Sequence, residues 1–233
     1  MTNKIDFGAN SHVESTNNKE DFFLKFKKQI IIGVVAILLV VAGAILYNAY
    51  VAGPREDKAS TAIAKGEQYF NAEQFDKALN GDGAGYVGFV KIASDYSSTD
   101  AGNLANLYAG LCYANLGKWA EAEKSLDAFS SKDDQMISPA AQAALGDVYA
   151  HLKKNDQAVD AFKKAASMAD SKAEDDANNS LSPAFLIKAG EILESDGKKA
   201  DALSLYQDVK KKYVNSMLVQ SGEIDKYIER ASN

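Results

Sequence analysis

Residues 108–126 read YAGLCYANLGKWAEAEKSL, and residues 144–162 read ALGDVYAHLKKNDQAVDAF. Gly110, Tyr113, Ala122 and Leu126 of the first stretch return 36 residues later as Gly146, Tyr149, Ala158 and Phe162. A third copy, Gly190, Leu193, Ala202 and Tyr206, follows after 44 residues, the extra length falling in SMADSKAEDDANNS at 167–180. Upstream, Gly66, Tyr69 and Ala78 keep the same mutual spacing and stand 44 residues before their counterparts; here the added length is NGDGAGYVGF, after which Phe89 resumes the pattern. One template is therefore used four times, and self-similarity at such a period marks a stacked array.

The template reads as two amphipathic helices. A glycine lets them approach where a larger side chain would hold them apart. The Tyr three residues on shares its helical face, and the later Ala and Phe, Leu or Tyr belong to the partner helix. LGK at 116–118 and DGK at 196–198 mark turns, while Ser138-Pro139 and Ser182-Pro183 fit an N-cap serine followed by proline at the first helical position. No segment alternates like a strand. The stretch MLVQSGEIDKYIER reads as a terminal helix that covers the last unit. A single unit cannot bury its apolar face alone, so the copies exist to be stacked.

The pattern resembles the tetratricopeptide repeat, whose first helix carries Leu-Gly and then Tyr, and whose second carries Ala and then an aromatic. Leu145-Gly146, Tyr149, Ala158, Phe162 and Ala165 match it closely; the unit at 184–214 has Leu193 in place of the Tyr, and an insertion interrupts the first unit. The resemblance implies an all-α, right-handed superhelix of about four helix pairs plus a terminal helix. We place repeats over 59–216, with units near 59–97, 103–131, 139–168 and 183–214, and a C-terminal capping helix at 217–233.

Ahead of the repeats the composition changes abruptly. Residues 1–28 read as a flexible tail, their Asn, Ser and Thr clusters burying too little to offset ordering. Gln29 to Pro54 holds no charge, and residues 29–51 are long enough to cross a hydrocarbon layer of about 30 Å as a helix. A cleavable signal would have a shorter apolar region, a short basic start and a small-residue cleavage site, and here 28 residues precede the span. Lys25, Lys27 and Lys28 lie just before it, which puts the tail in the cytoplasm and the repeats outside, with 52–58 as a linker. Tyr47 and Tyr50 fall at the outer interface. Residues 1–54 carry five lysines against four acids, so with a chain total of −6 the remainder bears −7. That acidity argues against nucleic-acid binding, which needs basic surface.

The residues offer little chemistry. Gly83, Gly85 and Gly88 formally match a dinucleotide fingerprint, but no strand precedes them and they interrupt a helical repeat. With only His12 and His151, no His-based metal cluster is available. The lone Cys112 excludes an internal disulfide and reads as a packing residue. We therefore expect no catalytic residue, cofactor, metal or small-molecule substrate.

Function must come from surfaces. The resemblance implies a groove lined by the first helices, at positions three before, one after and four after each glycine. These are Ile63, Glu67 and Phe70; Leu107, Leu111 and Ala114; Ala143, Asp147 and Ala150; Ile187, Glu191 and Glu194. Apolar and acidic groups mix there, a face suited to apolar segments with some positive charge. The acids could equally serve solubility alone. The family's clamp for C-terminal carboxylates needs several Lys, Arg and Asn residues, and only Lys188 is near.

A tail, one anchor and an exported acidic repeat domain together resemble the YfgM family of bacterial inner-membrane proteins. That resemblance implies a periplasmic protein-interaction module partnering the Sec translocon, periplasmic chaperones or export clients. The competing reading is a scaffold for cell-envelope or outer-membrane assembly.

Overall fold

The computed structural model describes residues 14–233, with side chains from residue 25 onward, and the chain divides into two compact units at Pro54 and Arg55. His12 and the first 13 residues of the expected tail lie outside the described residues.

In the first unit, α1 (Glu14–Tyr47) is followed by a single π turn, Asn48–Ala52. Residues 14–28, expected as part of a flexible tail, are helical; they contain neither Gly nor Pro, and once nucleated a helix propagates at small cost per residue. The side chains from Ile30 to Tyr50 are exposed on every face of this unit. Its mean hydropathy reaches 3.0 over an 18-residue window, which makes the helix long and apolar enough to cross a membrane.

The second unit is all helical among the described residues. Its helices are α2 (Gly53–Asn71), α3 (Phe75–Asn80), α4 (Phe89–Asp95), α5 (Asp100–Asn115), α6 (Trp119–Asp127), α7 (Ile137–His151), α8 (Asn155–Asp170), α9 (Ser182–Ser195), α10 (Lys199–Lys212), α11 (Met217–Gln220) and α12 (Glu223–Ser232). They form four αα-hairpins: α2 with α3 and α4, α5 with α6, α7 with α8, and α9 with α10. The stretch expected as a linker at 52–58 is helical instead, most of it the first turns of α2. Glu56 explains why it is ordered: its carboxylate accepts from the backbone N–H of Asp100 and of Ala101, both at 2.8 Å, capping α5 from the neighbouring hairpin.

Each template glycine sits where its hairpin closes most tightly. A Cβ added at Gly110 would lie 2.6 Å from Leu126 Cγ, at Gly146 3.1 Å from the Phe162 ring, and at Gly190 2.5 Å from Tyr206 Cζ. At Gly66 it would meet Phe89 Cε1 at 2.5 Å and also Tyr86 Oη. The second helix of every hairpin thus drives one large side chain onto bare backbone. Those side chains are the centres of the core: Phe89 and Tyr206 are fully buried, Phe162 1% and Leu126 4% exposed. The turns between paired helices also repeat. The residues at 73, 117, 153 and 197 all take positive φ, and the following N–H returns to the carbonyl of Tyr69, Tyr113, Tyr149 or Leu193 at 2.8–2.9 Å. This is the Schellman closure.

The helix starts at Ser138 and Ser182 differ from the sequence expectation. Both serines lie inside the first turn and are fully buried, and the orphan N–H groups are taken up earlier in the chain. Asp134 Oδ1 accepts from Met136, Ile137 and Ser138, and Asn178 Oδ1 accepts from Ser180 and Leu181. A carboxylate or amide one turn upstream reaches several donors at once; the Ser182 hydroxyl is left to bond Ala166 O and Asp170 on the preceding hairpin, while that of Ser138 stays local, donating to Asp134 and accepting from Lys132 N. The terminal helix is two pieces, α11 and α12, broken at Gly222 (φ 72°).

Candidate interaction surface

A helix positions its residues three apart on one face, so the residue one after each glycine and the residue two before it share a stripe on the first helix of each hairpin. Across neighbouring hairpins the two positions meet. Glu67 Oε1 accepts from Tyr108 Oη at 2.7 Å. Asp147 takes Lys188 Nζ on both oxygens at 2.8 Å. Leu111 and Ala144 occupy the same two positions between the second and third hairpins, and both pack against one apolar cluster. At the end of the series Glu191 faces Arg230 of α12 at 3.6 Å. The stripe is a ladder of inter-hairpin rungs: polar, apolar, ionic, ionic.

The ladder accounts for the acids singled out in the sequence. Glu67, Asp147 and Glu191 each point at a partner on the next element. Asp147 and Lys188 are about half exposed, and such a pair stabilises by only about 0.2–1 kcal/mol. What the rungs add is register, fixing which residue of one hairpin faces which of the next. Tyr108 is more deeply held. Burial first, and then the hydrogen bond to Glu67, push its hydroxyl up to about 12, while its ring stacks on Phe89 at 4.9 Å.

Of the other expected groove residues, Ile63, Leu107 and Ile187 are buried at 5–8% exposure, each within one of the three apolar clusters. Phe70 is half-buried and meets Phe75 and Tyr108 edge-on at 5.5 and 5.4 Å. Ala143 is buried; Ala114 and Ala150 are half-buried. Glu194 pairs with Arg230 at 2.6 Å. The structure brings Glu191, Glu194 and Arg230 together and spreads the remaining positions along the ladder. Sequence reasoning missed the partners Tyr108 and Arg230. Tyr108 could have been found by asking what stands two before the next glycine; Arg230 could not, because the template ends before α12.

The glycine-rich loop is not a phosphate cradle. Asp82 organises it, accepting from the N–H of Ala84 and Tyr86 on one oxygen and from Tyr69 Oη on the other, with Lys65 Nζ at 2.9 Å. Hydrogen bonds, that from Lys65 first, hold its carboxyl well below the usual range. The loop delivers Tyr86 into the core, where its hydroxyl donates to Ala78 O at 2.7 Å. Cys112 is fully buried, and burial pushes its thiol up to about 12, far from a reactive thiolate. His151 stacks flat on Trp119, ring centres 3.8 Å apart. Among the described residues no three His, Cys, Asp or Glu side chains are grouped to hold a metal. On the other side, clefts of ≈ 410 and ≈ 570 Å³ lie between second helices, open and mixed in lining, with Asp127 and Lys164 in one and Asn106 and Lys132 in the other.

A family model described as a tetratricopeptide repeat-like domain matches residues 20–221. Two crystal structures of a putative kinesin light chain from Podosopora anserina, built of nearly identical TPR-like repeats, superpose with a TM-score of 0.53; they are 11% identical to this chain and cover 76% of it and 94% of their own length. No curated protein matches the sequence.

Proposed function

The chain belongs to the tetratricopeptide repeat-like family, and on that premise we propose that it is a membrane-anchored protein-interaction module on the extracytoplasmic side of a bacterial inner membrane, assisting export or folding of translocated proteins near the Sec translocon. One observation carries the reading: an uncharged span from Gln29 to Pro54, with three lysines directly before it, is joined to a repeat domain bearing −7. Lysine before the span favours a cytoplasmic N-terminus, and an acidic helical array beyond it suits emerging segments that are apolar with basic flanks. The apolar rung of Leu111 and Ala144, set between polar rungs, supplies contact for such segments.

Two measurements test this. Protease added to intact spheroplasts digests residues 55–233 and spares the tail; full protection refutes the orientation. A photo-crosslinking side chain at exposed Asn71, Asn115 or Ser195, near the ladder, captures translocating chains or translocon subunits. The same probe at Val90 or Lys163, on the second helices, does not. Equal capture from both sets, or none from the ladder set, removes this face from the mechanism.

A further inference from the structure

The helix α12 stands where the first helix of a fifth hairpin would. It packs on α10 through Ile224 and Ala231, which are buried, and through half-buried Tyr227 and Ile228. Its polar anchors are Arg230 on Glu191 and Glu194, and Asp225 on Lys210 at 2.6 Å. Arg230, Glu191, Lys210 and Asp225 are all about half exposed, the setting in which ion pairs hold least. A helix of this length is marginal in water by itself, so α12 is ordered by docking, through a connection that breaks at Gly222.

The docking is incomplete in one place. Arg230 meets Glu194 most closely through Nη2, which is also the atom nearest Glu191. Glu194 Oε1, buried there, has no hydrogen-bond partner, whereas the Tyr206 hydroxyl lies against the Arg230 guanidinium. Tyr206 itself is fully buried. A guanidinium presented side-on would bind both oxygens of Glu194 as a fork, which is stronger than the single contact Arg230 makes.

We propose that α12 is a displaceable latch, and that the surface beneath it is a docking site for a basic amphipathic helix of a partner protein. That surface comprises Glu191, Glu194, Leu193, Tyr206 and Val209. The proposal rests on the reading of the domain as a protein-interaction module and names the chemistry of one partner. Four apolar residues at the spacing of Ile224, Tyr227, Ile228 and Ala231, with an arginine at the place of Arg230, define the helix that fits. The latch competes at the high effective concentration of a tethered segment, so the partner displaces it by making the fork that Arg230 does not.

The full chain in detergent provides the test. By hydrogen exchange, α12 amides exchange at least tenfold faster than those of α10; equal rates mean that α12 opens only with the whole domain, and the latch is refuted. A labelled peptide of residues 217–233 then serves as the probe helix. It binds the Ile224→Asp chain at least tenfold more tightly than wild type, and Glu194→Gln in that background reverses the gain. Because Ile224→Asp could unfold the end of the domain, Lys210→Cys with Asp225→Cys, in an otherwise unchanged chain, is the second variant: oxidised, it takes up no peptide, and reduction restores uptake. Binding that ignores the lock overturns the proposal. So does a latch-released chain that dimerises by exchanging α12 and takes up no peptide. Crosslinking at Asn71 and Asn115 does not involve α12, so a failed latch leaves the proposed function standing, while absent crosslinks with a mobile α12 remove that function and leave the latch.

Discussion

The first and third hairpins solve one packing problem in two ways. In the third, a continuous helix, α8, carries Phe162 onto Gly146. In the first, the second helix is cut into α3 and α4 by the loop at 81–88, and two rings, Tyr86 from the loop and Phe89 from α4, converge on Gly66. The difference teaches that the template constrains the large side chain over the glycine, not the continuity of the helix that brings it. Loop closure costs grow slowly with length, so an insertion is tolerated wherever its own polar groups are satisfied, as Asp82 satisfies these.

If that is right, the two rings are equivalent in effect. Phe162→Ala and Phe89→Ala each leave a cavity in a fully packed site and lower stability by about 3–5 kcal/mol, read from chemical denaturation. A Phe89 variant that loses less than half as much as the Phe162 variant would show that Tyr86 alone holds the first hairpin, and would break the equivalence.

The third hairpin has a polar anchor that reaches into the next one, whereas the partners of Asp82 all lie within the first. Asp170, at the end of α8, is 7% exposed. It accepts from Ser182 Oγ, Lys212 Nζ and Tyr213 Oη, all at 2.6 Å, and from Asn178 N at 2.9 Å. Burial opposes its charge, yet these four donors outweigh burial and hold the carboxyl below its ordinary value. Removing it strands a lysine, a tyrosine and a serine, and Asp170→Ala is expected to lose about 3 kcal/mol. The sign with pH follows from the lowered value. The contribution is present above the unfolded carboxylate pKa of about 3.9 and fades as pH falls through the folded one. Wild type therefore loses stability below about pH 4, and Asp170→Asn loses less over the same window.

Much of the fold was legible because it rests on periodic features. Gly66, Gly110, Gly146 and Gly190 and the side chains over them recur at fixed spacing, and the four hairpins follow from them. The helix starts were misread because the serine-proline pairs looked like caps, although Asp134 and Asn178 stand four residues before Ser138 and Ser182, at the same interval of 44. The ladder was half legible: its acids fall on the template, while the identity of each partner depends on how hairpins stack. The node at Asp170 joins groups up to 43 residues apart, and no periodicity reports on it.

The glycines themselves sharpen the comparison. In a helix interior, Gly→Ala stabilises by roughly 0.5–1 kcal/mol where there is room. At Gly146 the added methyl would sit 3.1 Å from the Phe162 ring, a contact that a small ring shift relieves, so gain and strain nearly cancel. At Gly66 the methyl would lie 2.5 Å from Phe89 and closer still to Tyr86 Oη, with a ring on each side and no direction of retreat. Gly66→Ala therefore loses about 1–3 kcal/mol by overpacking, while Gly146→Ala stays within about 0.5 kcal/mol of wild type. Equal losses at both sites would mean that the two-ring arrangement is no tighter than the one-ring arrangement.

The smallest effect concerns the turns, where the same two hairpins agree and the other two differ. All four turns need one residue in the left-handed region, with φ of 56° at Glu73, 71° at Gly117, 61° at Lys153 and 76° at Gly197. The first and third hairpins place a side chain there, against a steric cost of about 1–2 kcal/mol that glycine escapes. Part of that cost is offset, because glycine loses more conformational freedom on folding. Lys153 is exposed, and no hydrogen bond holds its side chain in the turn. Lys153→Gly is accordingly expected to stabilise the domain by about 0.5–1 kcal/mol, and Gly197→Ala to destabilise it by about 1 kcal/mol, both measured as shifts in denaturation midpoint at constant slope. The same backbone closure from residue 154 to Tyr149 at 2.9 Å remains in either case, so a Lys153→Gly variant no more stable than wild type would place the strain of these turns elsewhere than at the left-handed residue.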